Sequence, residues 1–163
     1  MGGLSLKFEE VNESNRKEVN KFLIDNWFGT DMVIRGKIID LSEASGIIVS
    51  RDNIIGLLIY EIIDEVCEIL SLDSKEENKG IGTELLARVI GIAKSRNCHK
   101  IKLITTNDNI NAIKFYQKRG FDMTRIYHNA LIQSRQLKPS IPLIGEFDIP
   151  LMHEIEFEMI LKY

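Results

Sequence analysis

The chain has 163 residues, 44% of them apolar and 28% charged, with a net charge of −3. That length suits one domain with a real core, and the mild acidic balance argues against a general nucleic-acid binder, which should be basic. Cys67 and Cys98 lack a CxxC spacing, His99, His128 and His153 are too scattered for a metal site, and no stretch reaches the roughly 18–20 apolar residues of a membrane span; these features, with no signal-like block after Met1, predict a cytoplasmic protein without metal.

Leu4, Leu6 and Phe8 alternate with polar residues, as a half-buried strand does. Ser14 can cap a helix running to about Asn26, with Val19, Phe22 and Leu23 on its inner face. Residues 28–40 carry Gly29, Asp31 and Gly36 and read as a loop or short helix. Residues 47–50 and 54–62 flank Arg51-Asp52-Asn53 as a hairpin, and Asp64-Glu65 turns the chain into the apolar run 66–72. Ile81, Leu85, Val89 and Ala93 then recur at four-residue steps, which predicts an amphipathic helix ending near Asn97.

Ile101, Leu103 and Thr105 alternate as a strand, and the polar residues 106–109 can cap the helix that follows. Gly120 is a natural left-handed stop for that helix. Residues 121–127 and 154–161 alternate as strands. Between them lies a long segment, 128–153, with a short helix over 129–137 and a loop marked by Pro139, Pro142, Gly145 and Pro150. The order predicts a single α/β domain spanning the chain: a mixed, mostly antiparallel sheet of six to seven strands with helices on both faces.

The point richest in chemistry is Lys79-Gly80-Ile81-Gly82-Thr83, where a strand empties into a glycine turn at a helix start. The first N–H groups of a helix lack internal partners, and the helix dipole adds roughly half a positive charge there. Glycine lets a phosphate approach the main chain closely. Taken alone, the same pattern is also ordinary turn chemistry.

Its surroundings narrow the reading. Glu77-Asn78-Lys79-Gly80-Ile81-Gly82, followed by Leu85-Leu86, is similar to the Gln/Arg-x-x-Gly-x-Gly/Ala signature of the GNAT superfamily of acyl-CoA-dependent N-acetyltransferases. About thirty residues on, Asn111-Ala112-Ile113-Lys114-Phe115-Tyr116 and Gly120-Phe121 resemble the second conserved stretch of that family. Glu77 departs from the pattern by placing an acid where the pyrophosphate would approach, with Lys79 as a compensating cation; Ser74 replaces a common proline.

The resemblance implies a splayed central pair of parallel strands. The pantetheine arm of acetyl-CoA would lie in that V against the main chain of Leu70, Ser71 and Leu72. Asn78, Lys79, Gly80, Ile81, Gly82 and Thr83 would hold the pyrophosphate, while Asn107, Asn111, Phe115 and Tyr116 would complete the cofactor site.

Acetyl transfer needs a neutral amine and a proton for the leaving thiolate. A lysine-like amine with pKa ~10.4 is roughly 0.1% neutral near pH 7.4, so a base or desolvation is worth much. By resemblance, Tyr116 is the general acid; the alternative is a core aromatic beside Phe115. Glu68 is the base candidate: strand alternation puts Glu68, Leu70 and Leu72 on one face, where an acid is costly unless it meets a cleft. A wet sheet face or a lysine partner would also explain Glu68.

Lys118 and Arg119 could meet the nucleotide phosphate. Segments 27–35 and 128–153 should wall the acceptor site, with Arg125, Arg135, Glu146 and Asp148 as unassigned charges there. The function implied is acetyl transfer to a small amine or a protein amino group. A non-catalytic acyl-CoA-binding module is the alternative, and a homodimer is left open. An unrelated nucleotide binder fits poorly, because neither a P-loop Lys-Ser/Thr nor Gly-x-Gly-x-x-Gly is present.

Overall fold

The computed structural model describes residues 5–27, 29–76 and 80–163. In chain order the elements are β1 (Lys7–Glu10), α1 (Arg16–Trp27), β2 (Asp31–Ile34), β3 (Lys37–Asp40), β4 (Ser45–Ser50), β5 (Ile54–Ile63) and β6 (Val66–Ser74). There follow α2 (Ile81–Ser95), β7 (Lys100–Thr106), α3 (Ile110–Lys118), β8 (Asp122–Tyr127), α4 (Ala130–Leu137), a short 3-10 turn (Glu146–Asp148) and β9 (Glu154–Ile160). Seven strands make one sheet in the order β1-β4-β5-β6-β7-β9-β8, and β2 and β3 form a separate hairpin. Every neighbouring pair in the sheet is antiparallel except β6 and β7.

The two faces bury different helices. Ile81, Leu85, Leu86, Val89 and Ala93 of α2 pack with Tyr116 of α3 on Ile47, Leu58, Ile69, Leu103 and Phe157. On the other face Val19, Phe22 and Leu23 of α1 join Ile34 of β2 over Ile48, Leu57, Ile59 and Leu70. Each such side chain contributes about 1.5–3 kcal/mol by leaving water, so both helices are held by their apolar stripes.

Several expectations need correction. Leu4 lies outside the described residues, and the first strand begins at Lys7 with Leu6 exposed. Ser14 does not cap α1. Asn12 and Asn15 organise its start instead: Asn12 Oδ1 accepts from the Ser14 N–H at 2.8 Å, and Asn15 Oδ1 accepts from the Asn12 N–H at 2.7 Å. Phe28 is outside the described residues, but residues 31–40 are a strand hairpin rather than a loop or helix. Arg35 (φ 50°) and Gly36 (φ 73°) form its tip, the left-handed pair that two-residue hairpins demand. The helix ends agree better: Asn97 is left-handed (φ 59°), Asn109 caps α3 by accepting from the Ala112 N–H at 3.1 Å, and Gly120 (φ 94°) stops it.

The feature that shapes the site is a bulge in β6. Ile59 faces Ser71 and Tyr60 faces Ile69, so Leu70 has no opposite residue on β5. An extra residue reverses the alternation beyond it. Glu68, Leu70 and Leu72 therefore do not share a face, contrary to expectation: Leu70 packs on the α1 side and Leu72 on the α2–α3 side. Pairing between β6 and β7 runs only from Val66↔Lys100 to Ile69↔Leu103, while β7 stays paired with β9 as far as Thr106↔Glu154. Past Ile69 the two parallel strands part company, and the sheet opens into a V.

Candidate active site

Below the V, on the α2–α3 side, a cleft of about 620 Å³ is lined by Leu72, Gly82, Asn111, Phe115, Tyr116 and Arg119 among others. Its far end is the start of α2. Gly80 there is left-handed (φ 75°), and no side chain of the described residues caps the helix. The first intrahelical bond closes with the Glu84 N–H on the Gly80 carbonyl, 3.0 Å, so the N–H groups of Ile81, Gly82 and Thr83 precede the ladder. Positive φ belongs to Gly80; Gly82 is needed for a different reason. A Cβ there would stand 3.3 Å from Phe115 Cζ, so the glycine lets α3 close against α2.

Arg119 adds fixed positive charge to this end. Its Nε and Nη2 donate to Thr83 Oγ1 at 3.0 and 2.8 Å, Nη1 donates to the Phe115 carbonyl, and the guanidinium lies 3.8 Å over the Phe115 ring. Lys114 and Lys118 line the same cleft. Thr83 and Phe115 thus carry Arg119, while the Ile81 side chain is core and only its main chain faces the turn. Glu77, Asn78 and Lys79 lie outside the described residues.

Tyr116 sits where the cleft meets the core. Its ring is 7% exposed and packs edge-on against Phe115 and Phe121 at 5.1 and 5.4 Å, with Phe157 at 6.1 Å. Burial, aided by the charge of Asp73, pushes the phenol well above its ordinary value, so it keeps its proton throughout the neutral range. On β6, Ser71 is 7% exposed and its hydroxyl has no hydrogen-bond partner among the described residues.

On the opposite face of the V the structure assembles a cluster that the sequence did not announce. Glu68 is 5% exposed, and both of its carboxylate oxygens are taken by Arg35: Nη1 donates to Oε2 at 2.8 Å and Nη2 to Oε1 at 2.9 Å. This bidentate fork engages both oxygens of Glu68, the base candidate of the sequence. Glu156 lies beside it, 3.8 Å from Arg35 Nη1 and accepting from the Tyr127 hydroxyl at 3.2 Å. Glu154, 2% exposed, accepts the Arg35 main-chain N–H at 3.1 Å on Oε1 and 3.5 Å on Oε2. Burial raises the Glu154 carboxyl above the usual carboxylate range; the Arg35 N–H and guanidinium oppose that rise, and the Glu68 charge adds to it. The even spacing of Glu154 and Glu156, both facing away from Ile155 and Phe157, was the available sequence signal.

The polar residues 106–109 serve as a clamp. Asn107 donates to the Pro150 carbonyl at 2.9 Å and accepts from the N–H groups of Met152 and His153, so its part in the site is indirect. Asp108 accepts from Thr106 Oγ1 and, at 2.8 Å, from the Glu146 N–H. A Cβ on Gly145 would come within 2.1 Å of Asp108, which is why that loop position is glycine. Arg135 likewise donates to the Ile141, Pro142 and Leu151 carbonyls, a structural task rather than an acceptor contact. Lys138 ties the segment to β2 through the Asp31 carbonyl at 3.1 Å.

A model of the acetyltransferase (GNAT) family matches residues 9–121. The chain belongs to that family. Among its relatives are two uncharacterized proteins of Bacillus subtilis (strain 168). YdhI is 43% identical over 152 residues, 92% of this chain and 95% of its own. YxbD is 45% identical over 139 residues, covering 84% and 87%. An IAA acetyltransferase from Bacillus cereus ATCC 14579 superposes with a TM-score of 0.72 at 21% identity, over 96% of this chain and 100% of that one. A Bacillus subtilis acetyltransferase solved in complex with CoA gives 0.70 at 21% identity, over 97% and 100%. An Elizabethkingia anophelis GNAT acetyltransferase with acetyl-CoA bound gives 0.66 at 25%, over 96% and 98%. The mixed sheet with one parallel pair is the fold these structures share. Family membership makes the chain an acetyltransferase with acetyl-CoA as donor.

Proposed function

We propose that the protein transfers the acetyl group of acetyl-CoA to the amino group of a small molecule or a protein, in the cytoplasm. The observation that carries this reading is the V beyond Ile69↔Leu103, opening onto a cleft that ends at the start of α2. Main-chain groups of Leu70, Ser71 and Leu72 on the freed edge of β6 take the pantetheine arm as an added strand would. The pyrophosphate meets the N–H groups of Ile81, Gly82 and Thr83 with Arg119 behind them, and Asn111 contacts the arm from the cleft wall. On sequence grounds alone we extend the pyrophosphate contacts to Asn78 and Lys79.

Tyr116 supplies the proton for the leaving thiolate. A phenol raised by burial is a weaker acid than an ordinary thiol in water, but the dry cleft also makes the nascent thiolate more basic. The buried free thiols of Cys67 and Cys98 suit a reducing compartment, and no described helix is long and apolar enough to cross a membrane.

The test follows release of free coenzyme A thiol from acetyl-CoA across amines, amino acids, aminoglycosides and peptides. At a hundred times Kd acetyl-CoA should also add ~2.7 kcal/mol of stability. Absence of any melting shift at millimolar acetyl-CoA refutes the donor assignment.

A further inference from the structure

We propose that Glu154 on β9, rather than Glu68 on β6, takes the proton from the acceptor amine, and that Arg35 is the positioning residue that separates their roles. The proposal rests on the acetyltransferase reading above and assigns its missing base. Three geometric facts support it. Glu68 lies opposite Lys102, on the closed side of the V, whereas Glu154 lies opposite Thr106, beside the open arm. Thr106 is three residues beyond Leu103, about 10 Å along the strand toward the mouth.

The second fact is engagement. The Arg35 fork spends both oxygens of Glu68, so protonating Glu68 would break a charge-assisted pair in a dry place. Among the described residues Glu154 has one donor, the Arg35 N–H, and its Oε2 is held only at 3.5 Å. The third fact is the hairpin tip. Left-handed φ at Arg35 and Gly36 turns the Arg35 N–H onto Glu154 while its side chain reaches Glu68. One residue therefore engages both oxygens of one carboxylate and aims the other. The buried environment of Glu154, with the Glu68 carboxylate nearby, favours gaining a proton.

The step balances without a further reagent. The acceptor ammonium first passes one proton to Glu154 through at most one water, and the neutral nitrogen then forms a bond to the thioester carbonyl carbon. The C–S bond breaks, its electron pair leaves on sulfur, and that sulfur takes the Tyr116 proton. Glu154 releases its proton to solvent, and Tyr116 recovers the second proton from the newly bonded nitrogen.

The experiment compares two nucleophiles on the full chain saturated with acetyl-CoA. Spermidine arrives as ammonium groups; hydroxylamine is already neutral near pH 7. Glu154→Gln should cut kcat with spermidine about 100-fold, in the range of lost general-base help, and remove the acid limb of the pH profile. Acetyl-CoA affinity should stay within about twofold, and transfer to hydroxylamine should fall less than about fivefold, because it needs no strong base. A merely structural Glu154 would cost both nucleophiles equally, which overturns the proposal. So does loss of the acid limb in the double variant Glu68→Gln/Arg35→Met. Should Glu154→Gln fail to fold, Glu154→Asp decides: a retained acid limb supports the role and its loss refutes it. A wild-type protein that binds acetyl-CoA but acetylates neither probe also overturns this inference, whereas failure to bind acetyl-CoA sinks the donor reading itself.

Discussion

Removing the Arg35 side chain should be the most costly single change on the acceptor face. In Arg35→Ala the Glu68 carboxylate, whose side chain is 6% exposed, would lose both of its short donors. Breaking a buried pair from one side costs about 3–5 kcal/mol, since it strands an uncompensated charge. Arg35 itself is 30% exposed, so water can enter behind it, and the lower end, about 3 kcal/mol, is expected. For a domain of this size that is a fall in Tm of about 6–12 °C. Urea unfolding at pH 7.5 measures it. The double variant Arg35→Met/Glu68→Met should recover most of the loss, because no charge is left unpaired. A single-variant loss below about 1 kcal/mol, or a double variant no better than the single, would refute the reasoning.

Tyr116→Phe keeps the ring contacts with Phe115, Phe121 and Phe157, so acetyl-CoA affinity by calorimetry should hold while kcat falls about 100-fold; unchanged turnover would make Tyr116 a packing residue. Gly82→Val must push into Phe115, already 3.3 Å from the position of a Cβ, and should weaken coenzyme A binding at least about tenfold with the protein still folded by circular dichroism. Glu154→Gln should stabilise the fold at neutral pH relative to acid pH. A carboxyl raised by burial gives up stability as pH rises through its folded value, and the amide removes that loss; parallel pH–Tm curves for variant and parent would contradict it.

What was legible in the chain was local. Asn109 and Gly120 mark the ends of α3 because a cap and a left-handed stop are chemistries of single residues. Gly80, read as part of a glycine turn at a helix start, is left-handed at the start of α2 for the same reason. The bulge was not: Leu70 is an ordinary strand residue, and only its register against Ile59 and Tyr60 reveals that it is extra. Nor could spacing join Arg35 to Glu68 or to Glu154, 33 and 119 residues away. The hairpin that makes those contacts did leave a trace. Met32-Val33-Ile34 and Ile38-Ile39 flank Arg35-Gly36 symmetrically, a turn pair that outweighs the glycines and acids around it.

The donor and acceptor halves meet in β7, and that junction constrains how acceptor choice can change. The strand's outer end, Ile104 to Thr106, is one arm of the V, unpaired toward β6 yet still bonded to β9. The very next residues, Asn107 and Asp108, hold the 128–153 segment through Pro150, Met152, His153 and Glu146. That segment in turn braces the hairpin through Lys138 and Asp31, and the hairpin tip sets Glu68 and Glu154. The segment and the hairpin are thus a closed chain of contacts starting and ending on the sheet, not a loose flap. On the proposed reading, in which they wall the acceptor site, a change made in the 139–150 loop to fit another acceptor would be carried to the hairpin, and so to Glu154. Within this fold, substrate range and base position are therefore mechanically coupled, while the cofactor cleft on the opposite face lies outside the loop of contacts.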